Sequence, residues 1–168
     1  LEVSRIALES ANAEGRILRI CWETNGSMNP ILAERAAGYA LESGGNMKFD
    51  LKAADEALNS ALCGVSNRTA LANFKMIGEK FYGKRRDLPV LSASTLLVPG
   101  YVDAEEVEVI AKLISEIDPS IPYTLLAFYP CYVMDDLPTT TRKQATECKQ
   151  AAEKYLQRVR VGNIHLLS

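Results

Sequence analysis

Five short apolar runs, each separated from the next by one or two helix-length segments, constrain this chain more than any other feature. They are Ile17–Trp22, Met47–Leu51, Val90–Val98, Tyr123–Phe128 and a last run over Val159–Val161 and Ile164–Leu167 around Gly162-Asn163. Runs that read as apolar on both faces and are joined through helices predict a parallel sheet with right-handed crossovers. The fold class is α/β. Periodicity alone leaves barrel and doubly wound sheet open, and no G-x-G-x-x-G follows any run, which weakens a dinucleotide-binding reading.

The helical segments carry their own start and stop signals. Residues 2–13 read as a helix with Val3, Ile6 and Ala7 on its inner face and Gly15 at its end. Asn29-Pro30 starts the next, with the stripe Leu32, Ala36, Tyr39, and Gly44-Gly45 stops it. Asp55–Leu62 is a short helix broken by Gly64, and Asn67 is expected to cap a longer one bearing Leu71, Phe74, Ile77 and Phe81. Asp103 with Glu106 reads as a capping box before Val107, Ile110, Leu113 and Ile117. After Pro138, Thr141 and Gln144 open a last helix with Ala145, Cys148, Ala152 and Tyr155 inward.

A length of 168 residues fits one domain with a sizeable core. The net charge of −2 argues against nucleic acid as a partner, and Lys84-Arg85-Arg86 before Asp87 reads as a solvated turn. No apolar run reaches the roughly 18 residues that span a bilayer, and no signal peptide is visible, so neither membrane nor export is expected. Cys21, Cys63, Cys131 and Cys148 form no close ligand pair and read as reduced thiols of a cytoplasmic protein. The chain opens in mid-helix on Leu1, so it reads as part of a larger protein.

Chemistry in a parallel α/β fold gathers at the carboxyl ends of strands. Two polar segments stand there, Glu23-Thr24-Asn25-Gly26 and Asp50-Leu51-Lys52. Oxygens of Glu23 and Thr24 suit a hard cation or a charged ligand, against a plain Asn-Gly turn with Glu23 solvated. Lys52 can meet a carboxylate and Asp50 an amine or hydroxyl, against an ordinary salt bridge. Desolvated, Lys52 could instead be the Schiff-base nucleophile of an aldolase-like barrel, although that leaves Thr24-Asn25-Gly26 unexplained. A binding module without catalysis is the third alternative. His165, in the last run, reads as structural.

Taken in order, Glu23-Thr24-Asn25-Gly26, Phe49-Asp50-Leu51-Lys52, Gly64-Val65-Ser66-Asn67 and Leu97-Val98-Pro99-Gly100 resemble the strand-end motifs of radical S-adenosylmethionine (SAM) enzymes. The family is that of pyruvate formate-lyase activating enzyme, whose members read D/E-T-N-G, L-D-L-K, G-V-S-N and V-P-G. Phe128-Tyr129-Pro130, with Tyr132, Met134, Asp136, Pro138 and Thr140 and later Val161-Gly162-Asn163, is similar to the AmmeMemoRadiSam branch. That branch often carries a histidine in the segment matching Pro122-Tyr123-Thr124, where this chain has none.

The resemblance implies a parallel-stranded partial TIM-type barrel, truncated to strands three to six plus a C-terminal strand. Residues 1–168 would be the C-terminal part of one radical SAM domain. It implies SAM as cofactor, with Glu23, Thr24 and Asn25 toward its carboxylate, Asp50 and Lys52 on polar groups, Leu96 and Val98 flanking the adenine, and Tyr129 stacking on adenine or substrate. For Leu96 and Val98 the alternative is core packing, and for Tyr129 a rim aromatic. The family's C-x-x-x-C-x-x-C and Gly-Gly-Glu motifs do not occur here. The [4Fe–4S] cluster and catalysis would therefore belong to a longer form. Partners of that form would be a glycyl radical enzyme or a small molecule, and a flavodoxin or ferredoxin. The fragment itself would self-associate through an exposed edge at Ile17–Trp22.

Overall fold

Every connection in this chain returns from the end of one strand to the start of the next, and the sheet is accordingly all parallel. The computed structural model describes residues 1–85, 87–132 and 134–168. Its strands β1 (Trp22–Thr24), β2 (Met47–Asp50), β3 (Leu91–Leu97), β4 (Tyr123–Ala127) and β5 (Val159–Gly162) lie side by side in sequence order. Right-handed crossovers that always step the same way place the connecting helices on one side. A doubly wound sheet would reverse its order and cover both faces. Sequential order therefore makes this a partial barrel wall.

The helices are α1 (Glu2–Ala13), α2 (Pro30–Glu42), α3 (Glu56–Cys63), α4 (Arg68–Phe81), α5 (Ala104–Ser115) and α6 (Arg142–Glu153). The core lies between α2, α4, α5 and α6 and one face of the sheet, with Met47, Phe49, Leu91, Ala93, Leu97, Tyr123 and Leu125 buried there. Alanines 33, 36, 37 and 40 give α2 a smooth buried stripe, and Phe49 meets Phe74 of α4 edge to face at 5.4 Å.

Several sequence expectations are corrected. The strand expected over Ile17–Trp22 begins only at Trp22, because its partner β2 begins at Met47 and the segment before Trp22 runs against the Gly44-Gly45 turn instead. Ile17 is consequently 90% exposed, and the unpaired outer edge belongs to the three residues of β1. Helix α1 forms where expected but buries none of its residues, Val3 and Ile6 included, since it lies outside the core cluster. Ile164–Leu167 is not strand: Asn163 adopts φ 53° and turns the chain into a 3-10 turn at Ile164–Leu166.

Arg85 is not solvated. Its guanidinium donates to the carbonyls of Leu41 (2.9 Å), Ala40 (3.3 Å), Leu88 (2.6 Å) and Gly45, so it closes the open C-terminal turn of α2. Arg86 lies outside the described residues. Asn67 stands at the N-cap of α4 without capping it. Its side-chain amide donates to Ala53 O (2.9 Å) and Ala54 O (2.7 Å), and Ser66 Oγ accepts from Arg68 N in its place. The Glu106 carboxylate likewise does not close a box; it accepts from the amides of Ala54 and Asp55 (3.0 Å). Both side chains thus hold the segment that follows Asp50-Leu51-Lys52 down onto the helices. No helix among the described residues is long and apolar enough to cross a membrane.

Candidate functional site

The sheet is not apolar on both faces. Residues of β2 to β4 alternate, and the face turned away from the helices carries polar side chains in register. Glu23, Lys48 and Ser92 form one row; Asp50, Ser94, Thr124 and Arg160 form the next; Leu96, Leu126 and Gly162 form a third nearest the carboxyl ends. Such rows are the layers that fill a barrel interior. The signal was present in the sequence. Leu91-Ser92-Ala93-Ser94 places hydroxyls at every second residue, a period-two pattern that marks a half-polar strand.

A cavity of about 280 Å³ opens on this face between β1, β2, β3 and β4, with Glu23, Thr24, Asn25, Asp50 and Ser94 in its wall. Asp50 Oδ2 pairs with Lys52 Nζ, while Asp50 Oδ1 is buried without a partner among the described residues. Ser94, its register neighbour, is 1% exposed, and its Oγ is also unpartnered. Buried polar atoms are nearly always hydrogen-bonded, so two orphans on register neighbours that both line one cavity mark a place where a ligand group can bond.

The backbone around them is fixed. Leu51 N–H donates to Ser94 O (2.8 Å). Leu51 O accepts from Thr95 Oγ1 (2.7 Å), and Thr95 in turn accepts from Tyr123 Oη (2.7 Å). Burial pushes the Tyr123 hydroxyl well above the usual tyrosine range, so it remains a donor. At the neighbouring strand ends, Thr140 Oγ1 accepts from Phe128 N–H and donates to Leu97 O, both at 2.7 Å.

The Glu23-Thr24-Asn25-Gly26 turn is built from its own side chains. Thr24 Oγ1 accepts from Gly26 N (3.0 Å) and Asn25 Oδ1 from Ser27 N (3.1 Å). Gly26 has φ +77°, and a Cβ there would press on Phe49 and Ala70, so only glycine fits. Asn73, buried in α4, donates to Gly26 O and Met28 O, each at 2.8 Å, and locks the turn.

The cavity brings Glu23, Thr24, Asn25 and Asp50 together, whereas Lys52, Leu96, Val98 and Tyr129 do not line it. Glu23 lies within β1, not beyond it, and pairs with Lys48 at 2.6 Å. Lys52 borders a smaller cavity of about 140 Å³ together with Asn25, Cys63 and Asn67. Leu96 stands on the open face, but Val98 turns back into the core cluster. Tyr129 is exposed two residues past β4 and borders neither cavity.

Among the described residues no three His, Cys, Asp or Glu side chains converge as metal ligands. Cys21, Cys63 and Cys131 are exposed, and Cys148 is buried in α6. Burial, reinforced by Asp103 and Glu147, pushes the Cys148 thiol up to about 12. Its folded pKa exceeds its unfolded one, so its contribution to stability is complete below pH ~9 and is lost toward pH ~12. At pH 8 a thiol reagent is expected to modify three cysteines in the native protein and Cys148 only after unfolding. A fourth fast thiol would contradict this packing.

No protein-family model matches this sequence, and no curated protein matches it. Among solved structures it is similar to a domain of pyruvate-formate lyase-activating enzyme from Bacteroides vulgatus. The TM-score is 0.67 at 20% identity, over 94% of this chain and 88% of that one. At that identity the likeness is one of fold: both chains share an α/β architecture, here a five-stranded parallel sheet in sequence order.

Proposed function

We propose that residues 1–168 are the SAM-binding part of a radical SAM domain of the activating-enzyme kind. The observation that carries the reading is the pair of orphaned buried atoms, Asp50 Oδ1 and Ser94 Oγ, beside an apolar row in this fold. They suit SAM chemically. Its ammonium and ribose hydroxyls can donate to Asp50 Oδ1, Ser94 Oγ can donate to a ligand oxygen, and Leu96 and Leu126 offer an apolar surface to the adenine. Thr24 Oγ1 keeps its own proton free to donate toward the carboxylate end.

SAM held here beside a [4Fe–4S] cluster would supply radical chemistry for hydrogen abstraction. The cysteines of this chain lack the spacing to hold that cluster, so its ligands come from outside residues 1–168. What these residues do is bind, orient and exclude water. Lys52 is held by Asp50, which positions it, whereas a Schiff-base role would need its amine released from that pair. In the longer form the hydrogen donor would be a glycine of a partner enzyme or a small molecule, with flavodoxin or ferredoxin as reductant.

The test is titration of the isotopically labelled chain with SAM, followed by amide NMR. Saturable shifts are expected at residues 23–26, 50–52 and 94–96, and Asp50→Asn should weaken binding by about tenfold or more. Absence of saturable shifts at those residues, or an unchanged affinity in the variant, would sink the reading.

A further inference from the structure

The open face carries a second, larger cavity, of about 570 Å³, toward the amino ends of β2 to β5. Glu23, Lys48, Ser92, Thr124, Arg158 and Arg160 border it, and the ion-paired Glu23 and Lys48 also border the smaller cavity on the same face. Three cations thus face a single carboxylate in a chain whose net charge is −2.

That carboxylate is already engaged, since Glu23 pairs with Lys48. Arg160 donates from Nε to the neutral Thr124 Oγ1 at 2.9 Å, and its guanidinium makes no ion pair among the described residues. The Arg158 side chain makes no ion pair among the described residues. Asp118, which borders an adjoining cavity with Arg158, accepts from Ser120 N and Oγ at 2.8 and 2.6 Å.

Charges on an edge strand often serve only to block pairing with another sheet. Arg160 does not project off the edge: it reaches inward across β4. Two guanidinium groups bordering one concave space are suited to a planar carboxylate or a phosphate, which they can grip bidentately. The volume falls within the roughly 300–1,000 Å³ usual for small-molecule sites.

We infer that Arg158 and Arg160 bind the oxyanion of a small-molecule substrate whose other end extends along the open face toward Asp50 and Ser94. This rests on the proposed function for its reactive end, and it selects a small carboxylate- or phosphate-bearing substrate over a glycine within a polypeptide. The anion site itself requires no SAM.

The experiment is a low-salt NMR titration of the chain with inorganic phosphate, with succinate and with an acidic glycine-containing peptide, in separate arms. Saturable shifts at Thr124, Arg158, Arg160 and Gly162 with phosphate or succinate are expected, and the arm that binds more tightly identifies the oxyanion. The double variant R158Q/R160Q should lose at least about tenfold in affinity. Lys154→Gln, which removes a cation paired with Glu108 on the helix side, should leave it unchanged. All the substitutions are at exposed side chains, and circular dichroism verifies folding. No saturable binding, equal losses in the Lys154→Gln control, or tighter binding of the peptide than of either small anion would each overturn the inference. Loss of SAM shifts at residues 50–52 with retained anion binding would strike the proposed function alone.

Discussion

Replacing Gly45 with alanine is expected to destabilise the fold by about 3 kcal/mol, the upper range for forcing atoms into a packed site. A Cβ at this position would fall on the carbonyl of Ile20, with the Ile20 backbone nitrogen only 3.0 Å away. The obstacle is main chain, which cannot swing aside as a side chain can. Segment 16–21 passes so closely over the turn because Ile20 N–H donates to Ser43 Oγ (2.9 Å) and Trp22 N–H to Asn46 O (2.8 Å). Gly45 N–H donates to Ala40 O, and Arg85 holds the Gly45 carbonyl, so the turn cannot retreat either. Gly38 provides the opposite case within the same unit. It lies inside α2, a Cβ there meets nothing within 4 Å, and Gly38→Ala should stabilise by roughly 0.5–1 kcal/mol. Urea denaturation of the two variants should move the midpoint in opposite directions. A Gly45→Ala midpoint equal to that of the parent would mean that segment 16–21 does not pack on the turn as described.

That contact also explains which parts of the fold were legible in the sequence. Helices announce themselves through local signals, and α2, α4, α5 and α6 form close to where they are expected, although α2 and α5 turn Ala33, Ala37 and Ala40 and Ala111 and Ile114 inward and leave the expected Leu32 and Leu113 exposed. Strand limits depend on the neighbour. Nothing in Ile17–Cys21 reveals that β2 begins only at Met47, so an apolar run looked like strand where no partner exists. Polar side chains with long-range partners were misread for the same reason. Asn67 and Glu106 have cap-like spacing, yet each bonds to the loop after β2, and Arg85 looked like a solvated charge while holding the end of α2.

The candidate site was legible in outline. Its segments 23–26 and 50–52 stand out because polar residues follow apolar runs. Thr124 and Arg160 do not, and Ser94 shows only as one hydroxyl of a period-two pattern, because all three join the site through register with Asp50. Val98 is the converse: two residues after Leu96 it should share the open face, but Val98 N–H bends back to Leu96 O (3.1 Å) and the side chain enters the core.

Register also makes the hydroxyl chain beneath Asp50 a sensitive point, and Thr95→Val is expected to cost about 2–4 kcal/mol. The substitution keeps the shape but leaves Leu51 O without its donor and Tyr123 Oη without its acceptor, both where water has no access. Tyr123→Phe should cost only about 1 kcal/mol, since Thr95 goes on donating to Leu51 O and no buried group is stranded without a donor. The double variant should lose clearly less than the sum, because removing the tyrosine hydroxyl relieves one of the two orphans that Thr95→Val creates. The effect should also reach the open face. Leu51 sits between Asp50 and Lys52, so freeing its carbonyl loosens both charged side chains, and Thr95→Val should weaken the proposed SAM binding while Tyr123→Phe leaves it near the parent value. Denaturation midpoints and the SAM titration together decide the matter. Equal losses of stability in the two single variants, with full additivity in the double, would show that the chain from Tyr123 through Thr95 does not anchor Leu51.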